Sequence, residues 1–173
     1  FGALGTAHAQ LASRPMPTYR QVPVQTPPNP HEVSSRIIFI HKCPVGGCVI
    51  NPGNEDSRTD RSSIPDAQVT LDMFKQSDEV WNRMLTCVKA TFAPFDVTIT
   101  DVDPGNVPHF ENIVGGRGTQ LSPDLSNAGG VSPFTCAEIP NAISFTFDVY
   151  GPDPDQLCWT VSQEVAHSFG LDH

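Results

Sequence analysis

The stretch that most constrains this chain is 142–170, where a two-residue hydrophobic period gives way to a helical one. Ile143, Phe145, Phe147 and Val149 alternate with Ser144, Thr146 and Asp148, the pattern of a strand over 142–150. A helix start follows. Asp153 can cap it, Pro154 suits its first position, and Gln156 stands where a capping-box partner belongs. Leu157, Val161, Val165 and Phe169 then form an apolar stripe, and Gly170 is placed to end the helix with a positive φ. A strand leading straight into an amphipathic helix points to a mixed α+β fold.

The upstream pattern agrees. The apolar run 36–42 predicts a buried strand. Ser77 predicts the cap of a second helix beginning near Asp78, whose stripe is Val80, Met84, Val88 and Phe92 with Trp81 and Leu85 alongside. Pro94 ends it. A half-exposed strand is expected over 97–102 and a weaker one over 109–114. The segment 120–133 reads as a Ser/Pro/Gly-rich loop, with an edge strand around 129–134 as the alternative. Residues 51–68 read as a solvated loop whose acids Glu55, Asp56 and Asp60 match no calcium-ligand spacing.

With 173 residues the chain is long enough for one domain with a real core. Its formal net charge of −9 disfavours nucleic acid and anionic membrane surfaces as partners. Residues 1–9 read as the remnant of a signal peptide, with Ala7-His8-Ala9 as a small-residue cleavage site. Residues 10–35 hold Pro15, Pro17, Pro23, Pro27, Pro28 and Pro30 and read as an extended linker or pro-segment, leaving 36–173 as the folded part. Five cysteines fit an exported protein. The turn-forming Pro44-Val45-Gly46-Gly47 is expected to bring Cys43 and Cys48 together. The odd count leaves one thiol free or partnered outside this sequence, and the second is the expectation.

The chemistry concentrates at the C-terminal end of the last helix. Gln163 and His167 are one helical turn apart and share a face. Gly170 turns the chain so that His173 can return toward that face, and Glu164 stands beside it. Three neutral donors, an open fourth position and one carboxylate are the parts of a hydrolytic zinc site. Each residue also has a plainer role: His167 as a hydrogen-bonded histidine, Glu164 as a solvated acid, Gln163 as a polar helix residue. His8, His31, His41 and His109 show no spacing pattern and are expected to be structural or exposed.

The segment 163–173 resembles the metzincin signature H-E-x-x-H-x-x-G-x-x-H, matching at Glu164, His167, Gly170 and His173 and departing from it at Gln163. It is similar in particular to secreted, myxobacterial-type proteins with H-K-C-P-x-G-G-C, F-A-P-F-D and C-W…Q-E-x-x-H-x-F-G-L-D-H segments. Here those are 41–48, 92–96 and 158–173. The resemblance implies a zincin-like upper subdomain: a twisted, mostly parallel sheet with a backing helix and an active-site helix, the lower subdomain lying outside the sequence. It implies a secreted, bacterial, zinc-dependent endopeptidase in which Gln163, His167 and His173 hold zinc and Glu164 is the general base. Its partner would be a peptide or protein substrate, bound along the strand near 129–134. The alternative is a pseudo-peptidase of the same fold that binds peptides without hydrolysing them, which Gln163 favours.

Overall fold

The structure is a computed structural model that describes residues 16–21 and 35–172. The signal-peptide expectation for 1–9 and the placement of His173 therefore lie outside the described residues. The fold is mixed α+β with two sheets and three α-helices.

Six strands form the main sheet: β1 (Met16–Gln21), β2 (Ile37–Lys42), β6 (Thr98–Thr100), β7 (Phe110–Val114), β8 (Ala128–Phe134) and β9 (Ile143–Thr146), in the spatial order β1-β8-β9-β7-β2-β6. Strands β9, β7, β2 and β6 run parallel to one another. β8 is antiparallel to β9, and β1 is parallel to β8. A small second sheet joins β3 (Cys48–Pro52) to β4 (Arg61–Ser62) on one side and β5 (Val69–Leu71) on the other.

Both faces of the main sheet are covered. On one, α1 (Asp78–Phe92) and α3 (Pro154–Ser168) place Val80, Trp81, Met84, Leu85, Val88, Leu157, Val161 and Val165 against Ile38, Ile40, Phe110 and Val114. On the other, Ile113, Val131, Ile143 and Phe145 pack with Ile50, Leu71 and Leu121, the last from α2 (Gly118–Leu121). A sheet covered on both faces buries even the polar side of β9: Ser144 and Thr146, which alternate with its apolar residues, are fully buried.

The helix boundaries follow the expected chemistry. Ser77 Oγ accepts from the Val80 N–H at 3.3 Å to cap α1. Asp153 Oδ1 accepts from the Gln156 N–H at 3.0 Å to cap α3, with Pro154 in its first turn. Gly170 ends α3 at φ +79°, and a side chain there would strike the backbone of Ala137. Two disulfides form. Cys43–Cys48 ties the end of β2 to β3 as expected, and Cys87–Cys158 ties α1 to α3; Cys136 is a free, exposed thiol.

Three segments differ from expectation. Met16–Gln21, read as part of a linker, pairs with the outer edge of β8. An extended chain needs only backbone hydrogen bonds to join an open edge, and Pro17 is tolerated because the strand it sits on is itself an edge. The stretch 120–133 is not a loop throughout: α2, a 3-10 turn at Pro123–Leu125 and β8 occupy most of it. Residues 51–68 carry a 3-10 turn at Ser57–Thr59 and β4. Glu55 is half-buried there, accepting from the Ser63 and Ile143 N–H groups at 2.7 and 2.9 Å and from two serine hydroxyls. It staples this segment to the start of β9.

Among the described residues, no helix is long and apolar enough to cross a membrane. The two disulfides are of the kind that persist in oxidising compartments.

Candidate functional site

The residues singled out in the sequence lie on the last two turns of α3, which runs beneath β8 and β9. Its apolar stripe presses Leu157, Val161 and Val165 into the core. That rotation turns Glu164 toward the sheet, where it is fully buried. Gly130 of β8 lies directly over it: a Cβ on Gly130 would come within 2.6 Å of Glu164 Oε1. Only a residue without a side chain lets the strand pass this close to the carboxylate.

His167, one turn further on, is also buried, at 1 % exposure. Its Nδ1 lies 2.7 Å from the carbonyl oxygen of Leu171. A carbonyl can only accept, so Nδ1 carries a proton, and in the neutral ring Nε2 holds the lone pair. Phe134, the last residue of β8, meets the imidazole edge to face, with ring centroids 5.7 Å apart. Backbone bonds from the chain after Gly170 and from Ile139 back to the end of α3 fix the turn that supplies the Leu171 carbonyl. Gln163 is partly exposed.

The sheet above α3 is unusually polar for a buried surface. Asn112 donates to Ser144 Oγ at 2.8 Å, and Ser144 Oγ donates to the Glu111 carbonyl at 3.1 Å. Ser132 and Thr146, the first on β8 and the second paired with Gly130, are buried with hydroxyls that find no hydrogen-bond partner among the described residues. Tyr150 belongs to the same neighbourhood. Burial raises its phenol pKa most, the bond from Thr160 lowers it, and the charge on Glu164 raises it again. The sequence pattern marked Tyr150 only as the end of a strand, because its approach to Glu164 depends on how α3 docks.

The structure thus brings Glu164 and His167 together beneath β8, while His173 lies outside the described residues. No protein-family model matches the chain, and no curated protein or solved structure matches it. Among the described residues no group of three His, Cys, Asp or Glu side chains could hold a metal ion. The resemblance to metzincin zinc peptidases is corrected on both grounds. The physical reason lies in the donors: among the described residues α3 offers one imidazole and one neutral amide, short of a three-ligand set. Of the zincin-like architecture, what stands is the coarser description, a mixed α+β fold with two sheets and three helices.

His167 taken singly does have the form of a metal ligand. A ligating histidine characteristically donates its second ring N–H to a carbonyl or carboxylate, which fixes the tautomer and aims the other nitrogen. The Leu171 carbonyl supplies that partner.

Proposed function

We propose that this chain is a secreted, zinc-dependent endopeptidase, with Glu164 as its general base. The reading rests on α3 and the strand above it, not on membership of a family. The observation that carries it is the fixed tautomer of His167 one turn from a buried carboxylate.

Zinc would be held by Nε2 of His167 with the amide oxygen of Gln163 and an imidazole nitrogen of His173, and it would supply Lewis acidity toward a water and a peptide carbonyl. Glu164 takes the proton of the attacking water and passes it to the departing amine. Leu171 keeps the His167 ring in one orientation through both transfers. Gly130 leaves no side chain between β8 and the carboxylate. The cysteine content supports an extracellular or periplasmic setting.

A second reading has an observation of its own. Glu164 is fully enclosed and the first donor position holds an amide, both of which suit a domain that binds peptides without cutting them. The deciding experiment incubates the full chain, metal-loaded and metal-free, with a mixed peptide library analysed by mass spectrometry. Cleavage that a chelator stops and zinc restores supports the hydrolase. Peptide retention with no cleavage under either condition supports the binding domain and contradicts the hydrolase.

A further inference from the structure

A second cluster of reactive groups lies on the other side of the sheet, away from α3. His41 of β2 and Glu111 of β7 are diagonal neighbours across the parallel pair, Glu111 lying opposite Phe39, and Nδ1 to Oε1 is 2.7 Å. Glu111 is only 2 % exposed, and His41 retains 27 % of its side-chain surface. The opposite ring nitrogen, Nε2, lies 3.8 Å from the sulfur of Cys48. Phe39 stacks on the imidazole with centroids 5.0 Å apart and fixes the ring plane. Carboxylate, imidazole and sulfur therefore stand in line, with the sulfur belonging to the Cys43–Cys48 disulfide.

The two sulfurs have different neighbours. Cys43 Sγ faces the carbonyl oxygen of Leu71 at 3.7 Å, whereas Cys48 Sγ faces the imidazole. A carbonyl can only accept, so once the disulfide opens it favours Cys43 as a protonated thiol. The imidazole can receive a proton and pair with a thiolate, so it favours Cys48 as the anion. In thiol–disulfide exchange the sulfur that leaves more readily is the one whose thiolate is better stabilised.

We propose that Cys43–Cys48 is a reducible, thiol-exchanging site in which Cys48 is the leaving thiolate, His41 stabilises it, and Glu111 is the positioning residue behind His41. The co-reactant is a low-molecular-weight thiol. Its thiolate attacks Cys43 Sγ, forming a mixed disulfide as the Cys43–Cys48 bond breaks, and the electron pair of that bond goes to Cys48. A second thiolate attacks the sulfur of the small thiol in the mixed disulfide, releasing the oxidised small-molecule disulfide and the Cys43 thiolate, which takes a proton from solvent. Two electrons pass from two thiols to the protein. Both cysteines are buried, Cys43 at 2 % and Cys48 at 4 % exposure, beneath the exposed residues 44–46, which are the cover a small reagent has to pass.

The charges facing His41 reinforce the arrangement. Burial lowers its pKa most, but the bond and charge of Glu111, together with Asp60 and Asp103, outweigh it and the net direction is up. His109 lies beyond Phe39 and acts electrostatically on Glu111 and Asp60. The net effect favours the protonated imidazole beside Cys48.

The test uses the full chain with Cys136→Ser, which removes the exposed free thiol, and Cys87–Cys158 serves as the internal standard. The protein is equilibrated with graded glutathione buffers, quenched with an alkylating reagent and mapped by mass spectrometry. Cys43–Cys48 is expected to open at a ratio of reduced to oxidised glutathione at least about tenfold lower than Cys87–Cys158 requires. Cys48 should alkylate ahead of Cys43, with a pH midpoint at least about one unit below the ordinary thiol value near 8.5. His41→Gln should raise that midpoint toward the ordinary value, and Glu111→Gln should raise it by less. Circular dichroism checks that each variant is folded; if His41→Gln does not fold, the order and midpoint of alkylation in the parent decide. Opening of both disulfides at one ratio, preferential alkylation of Cys43, or a Cys48 midpoint indifferent to His41→Gln in the folded protein overturns the proposal.

Discussion

Gly130 and Glu164 are in direct contact across the β8–α3 interface, at a distance that admits no side chain on the strand. A Cβ on Gly130 would lie 2.6 Å from Glu164 Oε1 and 2.7 Å from the Phe145 carbonyl oxygen. The second neighbour is backbone and cannot swing aside. Gly130→Ala is therefore expected to destabilise the chain by at least about 1–3 kcal/mol, the usual range for overpacking, and to disturb the helix that carries Glu164. Chemical denaturation of the two proteins checks this; unchanged stability would mean that the strand sits further from the carboxylate.

Glu55 gives stability a definite pH dependence. Burial is the largest influence on its carboxyl and raises its pKa above the ordinary 4.5, against the hydrogen bonds from Ile143, Ser63 and Ser62 that lower it. A carboxyl with a raised folded-state pKa binds its proton more tightly when folded. Its contribution is fully present below the unfolded value and is lost as pH rises through the folded one. Glu55→Gln should remove that slope, so the wild type loses stability relative to the variant as pH climbs above about 4.5. Denaturation midpoints of both proteins across the acid range give the measurement; parallel curves would contradict the assignment.

The disulfide between α1 and α3 closes a loop of 71 residues. Chain entropy predicts about 4 kcal/mol of stabilisation for a loop of that length. Replacing Cys87 and Cys158 together by Ala should lower stability by roughly that amount, within the 2–5 kcal/mol common for native disulfides. A loss well under 1 kcal/mol by calorimetry would show that helix packing alone holds the pair.

Gln163 is expected to be the weak donor of the α3 site. Exchanging its amide for imidazole in Gln163→His should tighten zinc binding at least about tenfold, since imidazole is among the preferred zinc ligands. Isothermal titration with zinc on the full chain tests this. Equal affinity in both proteins would place Gln163 away from the metal.

What the sequence discloses and what it conceals divide along a physical line. Local signals were legible: the Ser77 cap, the Asp153-Pro154 start, the positive φ at Gly170 and the short Cys43–Cys48 bridge all depend on residues close in the chain. Alternation over 142–150 identified the two faces of β9, but it carries no information on what covers the polar one, and α3 buries Ser144 and Thr146. The edge pairing of Met16–Gln21 with β8 is invisible to periodicity, because a proline-rich extended segment reads alike whether paired or not. His41 showed no spacing pattern for the same reason: Glu111 comes from a strand 70 residues away. Of the α3 site, the helical face shared by Gln163 and His167 was readable. The inward turn of Glu164 was set by which stripe of the helix the core selected.

The central claim, that Glu164 is the base of a hydrolytic site, is tested most directly by comparing peptide cleavage by the full chain with that by Glu164→Gln, with bound zinc and melting temperature measured on both. The variant is predicted to remain folded, keep its zinc and lose cleavage by about 10²–10⁴-fold, the range typical of a general base. Equal cleavage by the two folded proteins would contradict it.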